Sequence, residues 1–265
     1  MKLGVRLALF ILFPWILGSL PCHGQSENAK AELQAGILAF KGARFEGATI
    51  HFRHAVDLDP EYVQARLYLA TSYAQQYIPG VDEAANTRLA KVALQEYNEV
   101  LQRDPNTVEA VKGSAYLLMQ MKQFENAKEF YHKAIELDPR DPESYYSIAV
   151  IDWTEAYQPR MELRARLKLR PAAALIGASE CETMRVANES RVEEGIQMLT
   201  EALSLRPDYN DAMAYMNLLY RERADIQCGD PEAYRHDLET ADKWVDVTIG
   251  VKKKKAESAA GAPDQ

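Results

Sequence analysis

Residues 108–139 read VEAVKGSAYLLMQMKQFENAKEFYHKAIELDP. Small Ala115 falls near the middle of the first half, and Phe124, Ala127, Tyr131 and Ala134 mark the second half at steps of three and four before Pro139. Those steps place the marked residues on one face of a helix. The stretch therefore predicts a two-helix hairpin. Small residues let its helices approach closely, large ones fill the space toward a neighbouring hairpin, and proline ends the second helix.

The same ending recurs along the chain: Ala55-Val-Asp-Leu-Asp-Pro60, Val100-Leu-Gln-Arg-Asp-Pro105, Ala134-Ile-Glu-Leu-Asp-Pro139 and Ala202-Leu-Ser-Leu-Arg-Pro207. The first unit repeats the internal marks as well, with Gly36, Phe45, Ala48, Phe52, Ala55 and Pro60. Pro105 and Pro139 stand 34 residues apart. A fixed period of that length signals stacked supersecondary units.

These residues resemble the tetratricopeptide-repeat family over most of residues 29–250. The resemblance implies an all-α fold, an α-solenoid of stacked helix-turn-helix hairpins whose first helices line a concave binding side. The expected units are 29–62, 63–107, 108–141, 142–209 and a capping hairpin over 210–250, followed by a disordered tail over 251–265. Pro60 and Pro105 are 45 residues apart, 11 more than the period. The surplus fits around Gln75 to Thr87, where Pro79-Gly80 marks a loop. Pro139 and Pro207 are 68 residues apart, two periods. Residues 157–190 are either a degenerate repeat or an insert within one hairpin. The insert is the preferred reading, because the Ala and aromatic marks are missing there.

Carrying the family's groove positions onto this sequence picks Leu33, Ile37 and Phe40; Leu67 and Thr71; Lys112, Tyr116 and Met119; and Tyr146, Val150 and Trp153. That apolar, aromatic set suits a protein or peptide ligand with large side chains. The family's chaperone-tail binders hold a terminal carboxylate with basic and Asn residues on successive first helices. Lys112 has no such Asn partners here, which argues against that role.

Of the 265 residues, 47% are hydrophobic and 26% charged, the composition of a globular protein. Lys2 and Arg6 precede an apolar stretch from Leu7 to Leu20, followed by Cys22-His23-Gly24 and polar Gln25-Ser26-Glu27. This reads as a signal peptide over residues 1–24 cleaved after Gly24, so export to the periplasm or cell envelope, or beyond the cell, is expected. The stretch is interrupted by Pro14 and Gly18 and is shorter than the ~20 residues of a membrane helix, so no integral membrane segment is expected after cleavage. Lipidation at Cys22 is the alternative, with Pro21 standing where such sites usually carry a small residue.

Cleavage leaves 29 basic against 39 acidic residues, a net charge of −10. That balance argues against a general nucleic-acid binder. Arg160, Arg164, Arg166, Lys168 and Arg170 are the local basic exception, read either as internally paired helix surface or as a contact for an acidic partner.

No catalytic, cofactor-binding or metal-ligating set is assigned. His51 and His54 share a helix face but lack a completing ligand at a characteristic spacing. No phosphate-cradling loop or nucleophile elbow is present. Cys181 and Cys228 either pair or remain free thiols. The expectation is a noncatalytic binding scaffold. The alternatives are a structural homo-oligomer and an envelope hydrolase on a helical scaffold.

Overall fold

The computed structural model describes residues 23–170, 173–175 and 178–260. Among these there are ten helices and no strand: α1 (His23–Lys41), α2 (Phe45–Leu58), α3 (Val63–Gln76), α4 (Ala84–Arg103), α5 (Val108–Gln120), α6 (Phe124–Leu137), α7 (Pro142–Arg166), α8 (Ala178–Leu205), α9 (Asn210–Asp225) and α10 (Pro231–Ala260). Consecutive helices pair into five hairpins. Each hairpin's second helix packs on the first helix of the next, and α1 adjoins α3, α3 adjoins α5 and α7 adjoins α9. The expected signal segment lies outside the described residues apart from His23 and Gly24, which stand in the first turn of α1.

The Asp-Pro marks have a local cause. The amides of Asp59, Asp104 and Asp138 bond back to the carbonyls of Ala55, Val100 and Ala134 and close α2, α4 and α6. Each carboxylate then accepts the amide two residues on, from Glu61, Asn106 and Arg140, across the intervening proline. The helix stops because proline cannot continue it, and the aspartate turns the chain toward the next helix. Within hairpins the turns are tighter. Ala43 and Lys122 take the left-handed conformation just after α1 and α5, with φ of 54° and 58°. Gln123 N then reaches the Leu118 carbonyl at 2.9 Å, the closing bond of a helix C-cap.

Packing follows the predicted small-against-large rule. The fully buried Phe52 ring covers Gly36, where a Cβ would meet the ring at 2.4 Å. Tyr97 covers Gly113 in the same way, at 2.5 Å from its Cζ. Ala48, Ala55, Ala90, Ala93, Ala127 and Ala134 are fully buried along the second helices.

The two departures from the period have different structures. The surplus before Pro105 lengthens α4 to 20 residues and leaves a loop over 77–83. Asn86 staples that loop: its side chain accepts from Ile78 N and donates to the carbonyls of Ile78 and Val81, all at 2.8 Å. Residues 157–190, by contrast, mostly lengthen the two arms of one hairpin, so that α7 has 25 residues and α8 has 28.

The disordered tail expected over 251–265 is corrected for residues 251–260, and residues 261–265 lie outside the described residues. α10 continues through Ala260, and Lys255 Nζ binds the carbonyl and carboxylate of Asp208 at 2.7 and 2.8 Å. The segment combines lysines, alanines and Glu257, all good helix formers, so a helix already nucleated at Pro231 propagates through it. Among the described residues no helix is long and apolar enough to cross a membrane.

The close approach at Gly113 carries a signed consequence. Gly113→Ala is expected to lose roughly 1–3 kcal/mol by overpacking against Tyr97, although the same exchange in an open helix gains about 1 kcal/mol. Denaturant midpoints decide it, and a stabilised variant contradicts the packing described.

Candidate functional site

The first helices carry the residues nominated from the sequence, and the structure divides them. Leu33 is only 1% exposed and packs in the core with Phe52 and Ala48, so its assignment to a binding groove is corrected. A first helix also owes a stripe to its own hairpin, and Leu33 lies on that stripe. Ile37 and Phe40 pack against the same core, with Phe40 edge-on to Phe45 at 5.2 Å. Leu67 packs beside Ala70, Tyr97 and Val100. Thr71 donates to the Leu67 carbonyl at 2.9 Å and accepts from the Tyr97 hydroxyl at 3.2 Å. Met119 packs with Ala115, Leu118 and Tyr131.

Of the remaining nominees Tyr116 is exposed, and Lys112, Tyr146, Val150 and Trp153 are partly buried. Tyr116 is 51% exposed. Lys112 pairs with Asp141 at 2.8 Å, joining α5 to the start of α7. That aspartate also caps α7 through Ser144 N. Burial acts against its charge, but Lys112 and Ser144 outweigh it and hold the Asp141 carboxyl below the usual range. Val150 is partly exposed between Tyr146 and Trp153.

Tyr146 and Trp153 belong to a larger set. Five rings run in contact along the α7–α9 seam: Tyr209 to Tyr146 at 5.0 Å, Tyr146 to Tyr215 at 5.5 Å, Tyr215 to Trp153 at 5.4 Å and Trp153 to Tyr157 at 4.8 Å. Tyr146, Trp153, Tyr157 and Tyr215 all remain partly exposed. Burial is the main reason that the Tyr146, Tyr209 and Tyr215 hydroxyls are pushed up, so all three stay protonated donors. At one end the Tyr209 hydroxyl donates to Glu143 at 2.5 Å, and Arg206 binds the same carboxylate at 2.6 Å.

Sequence reasoning missed Tyr157, Tyr209 and Tyr215. Tyr146, Val150, Trp153 and Tyr157 follow steps of four, three and four, and that signal crosses the boundary at which the insert was placed.

The far end of the seam is ionic. Arg160 lies 2.7 Å from Glu222 and 2.9 Å from Asp225, and Arg164 reaches Asp225 at 2.8 Å. Two members of the basic run are thus internally paired, as the bland reading of that run expected. Nearby, Cys181 and Cys228 are joined with their Cα atoms 5.6 Å apart, fastening the start of α8 to the loop between α9 and α10. A second buried group lies between the third and fourth hairpins, where Lys128 bridges Asp152 at 2.7 Å and Glu194 at 2.6 Å. Burial dominates for both enclosed acids, pushing the Asp152 and Glu222 carboxyls up to about 7.

His51 meets Glu32 at 2.7 Å, a carboxylate contributed by the neighbouring helix. Among the described residues no group of three His, Cys, Asp or Glu side chains is arranged to hold a metal ion.

A family model described as Tetratricopeptide repeat matches residues 88–150. Over those residues the chain is similar to that family, and its stacked helical hairpins have the tetratricopeptide-repeat fold. Solved tetratricopeptide-repeat structures share its fold. MamA from Desulfovibrio magneticus RS-1 is 13% identical with a TM-score of 0.58, covering 87% of this chain and 98% of that one. YrrB, a TPR protein with an unusual peptide-binding site, is 15% identical with a TM-score of 0.53, covering 86% of this chain and 93% of that one. At such identity the likeness carries the fold alone. The peroxisomal targeting signal receptor of Saccharomyces cerevisiae is 26% identical over 236 residues, which are 83% of this chain and 36% of the receptor. The chain thus spans about a third of that relative.

The enclosed acids set a pH dependence. Their folded pKa values lie above the ordinary carboxylate value near 4, so between about pH 7 and pH 4 the folded state binds more protons than the unfolded one. Their contribution to stability therefore grows as pH falls through that window and is lost as pH rises. Comparing unfolding at pH 5 and pH 7.5, Asp152→Asn is expected to flatten this gain by on the order of 1–3 kcal/mol. An unaltered pH profile contradicts a buried, proton-binding Asp152.

Proposed function

We propose that this protein is an exported, noncatalytic interaction scaffold that holds a polypeptide against its first-helix face. The observation that carries the reading is the ladder of five rings across the α7–α9 seam, four of them partly exposed. Aromatic rings supply large contact area at small entropic cost and dominate peptide-binding surfaces. Tyr116 extends the exposed aromatic surface to the third hairpin. The perturbed acids argue in the same direction, since Asp152 and Glu222 are packed against Lys128 and Arg160 between helices, where they serve as structural ion pairs.

Two observations support export to the periplasm, cell envelope or exterior. One is the basic and then apolar run from Lys2 to Leu20. The other is the Cys181–Cys228 bond, a kind of link that persists in oxidising compartments. A second reading, self-association, is favoured by exposed Leu38 and Ile50 on the first hairpin and Val247 and Ile249 on the last. Sedimentation over a range of concentrations separates it from a monomeric scaffold.

A photo-crosslinking residue placed at Tyr116, and separately at exposed Glu125 on α6, tests the face directly in cells. The expected result is a polypeptide adduct from position 116 that is absent from position 125. Equal adducts at both, or adducts from 125 alone, contradict binding on the first-helix face.

A further inference from the structure

The ring ladder already holds cations at both of its ends. The Arg206 guanidinium lies 4.4 Å from the centre of Tyr209, and the Arg160 guanidinium lies 5.8 Å from that of Tyr157. Both belong to the chain and are fixed by carboxylates, Arg206 by Glu143 and Arg160 by Glu222 and Asp225. Among the described residues no guanidinium or ammonium lies over the three middle rings. Tyr215 stands between Tyr146 and Trp153, at 84° to one and 85° to the other. The exposed part of such a ring offers a cation the negative side of its quadrupole.

The charge beside these rings is negative. Asp211, exposed in the first turn of α9, stands four residues before Tyr215, one turn away on the same helical face. No ion pair to Asp211 is seen among the described residues, whereas Glu143 at the ladder's end is neutralised by Arg206. A carboxylate beside a partly exposed ring makes a field complementary to a positive group and hostile to an acidic one. The net charge of −8 on the whole chain adds to that preference.

We propose that Tyr146, Trp153 and Tyr215 form an aromatic anchor surface for a lysine or arginine side chain of the bound polypeptide, with Asp211 as its counter-charge. The proposal rests on the peptide-binding reading above and names the chemistry of the partner: a segment with a basic anchor residue.

A random twelve-residue peptide library displayed on phage and selected on the purified protein is the probe, followed by synthesis of the enriched peptides. Two variants are compared, Tyr215→Ala and the surface change Asp211→Lys, with melting temperatures measured alongside. Enriched peptides are expected to share one Lys or Arg. Replacing it by norleucine should weaken binding by roughly five- to thirty-fold, the scale of a partly desolvated cation–π contact. Asp211→Lys should weaken the basic peptides at least as much while lowering the melting temperature only slightly, as a lost first-turn acid does, so the test survives if Tyr215→Ala does not fold.

If peptides depend on these rings yet tolerate norleucine and Asp211→Lys, the cationic anchor is wrong while the peptide-binding reading stands. If no selected peptide responds to either variant, both fall.

Discussion

A two-helix hairpin of some 34 residues has too little interior to fold by itself, so each one must lay its apolar face on a neighbour. The contact that permits this is a large ring set into the place of a missing side chain: Phe52 over Gly36 within the first hairpin, and Tyr97 over Gly113 between the second and third. Because those glycines admit the ring, the helices come close enough for the buried alanines to meet. The rest of the solenoid inherits its spacing from these contacts. They also decide what is left over for binding, since any first-helix residue on the stripe that feeds them, such as Leu33, is consumed by the core.

The fourth and fifth hairpins are joined by additional means. Gly195 lets α8 approach Leu219 of α9, the Arg160–Glu222–Asp225–Arg164 group ties the extended arm of α7 to the end of α9, and the Cys181–Cys228 bond fastens α8 to the last turn. Buried ion pairs are poor sources of stability but hold a register firmly, because breaking one leaves a charge stranded. Here the register they hold is that of α7 against α9, which sets Tyr146 and Trp153 on either side of Tyr215. The long arms and the aromatic ladder are therefore parts of one arrangement, with structural charge at both ends of the seam and partly exposed rings between.

Much of this architecture was legible in the sequence because its causes are local and repeated. The Asp-Pro endings, the Gly36–Phe52 spacing and the run Phe124, Ala127, Tyr131, Ala134 each encode one hairpin, and repetition made them visible. What stayed hidden depended on unique, distant contacts. Asn86 stapling the 77–83 loop and Glu32 meeting His51 leave no periodic trace. Tyr215 could not be joined to Trp153 without knowing how far α7 runs. The lysines at 252–255 read as a tail because the sequence did not reveal the Asp208 partner that receives one of them.

On the function proposed above, a polypeptide sits along the seam between α7 and α9. Of the three tryptophans, Trp153 lies in that seam, and Trp244 lies on the last helix, packed against the core of the final hairpins. Indole nitrogen-15 spectra recorded during titration with a peptide selected on this protein distinguish the two positions. The account predicts a progressive shift of the Trp153 indole signal with Trp244 unmoved; a shift of Trp244 with Trp153 unchanged would contradict it.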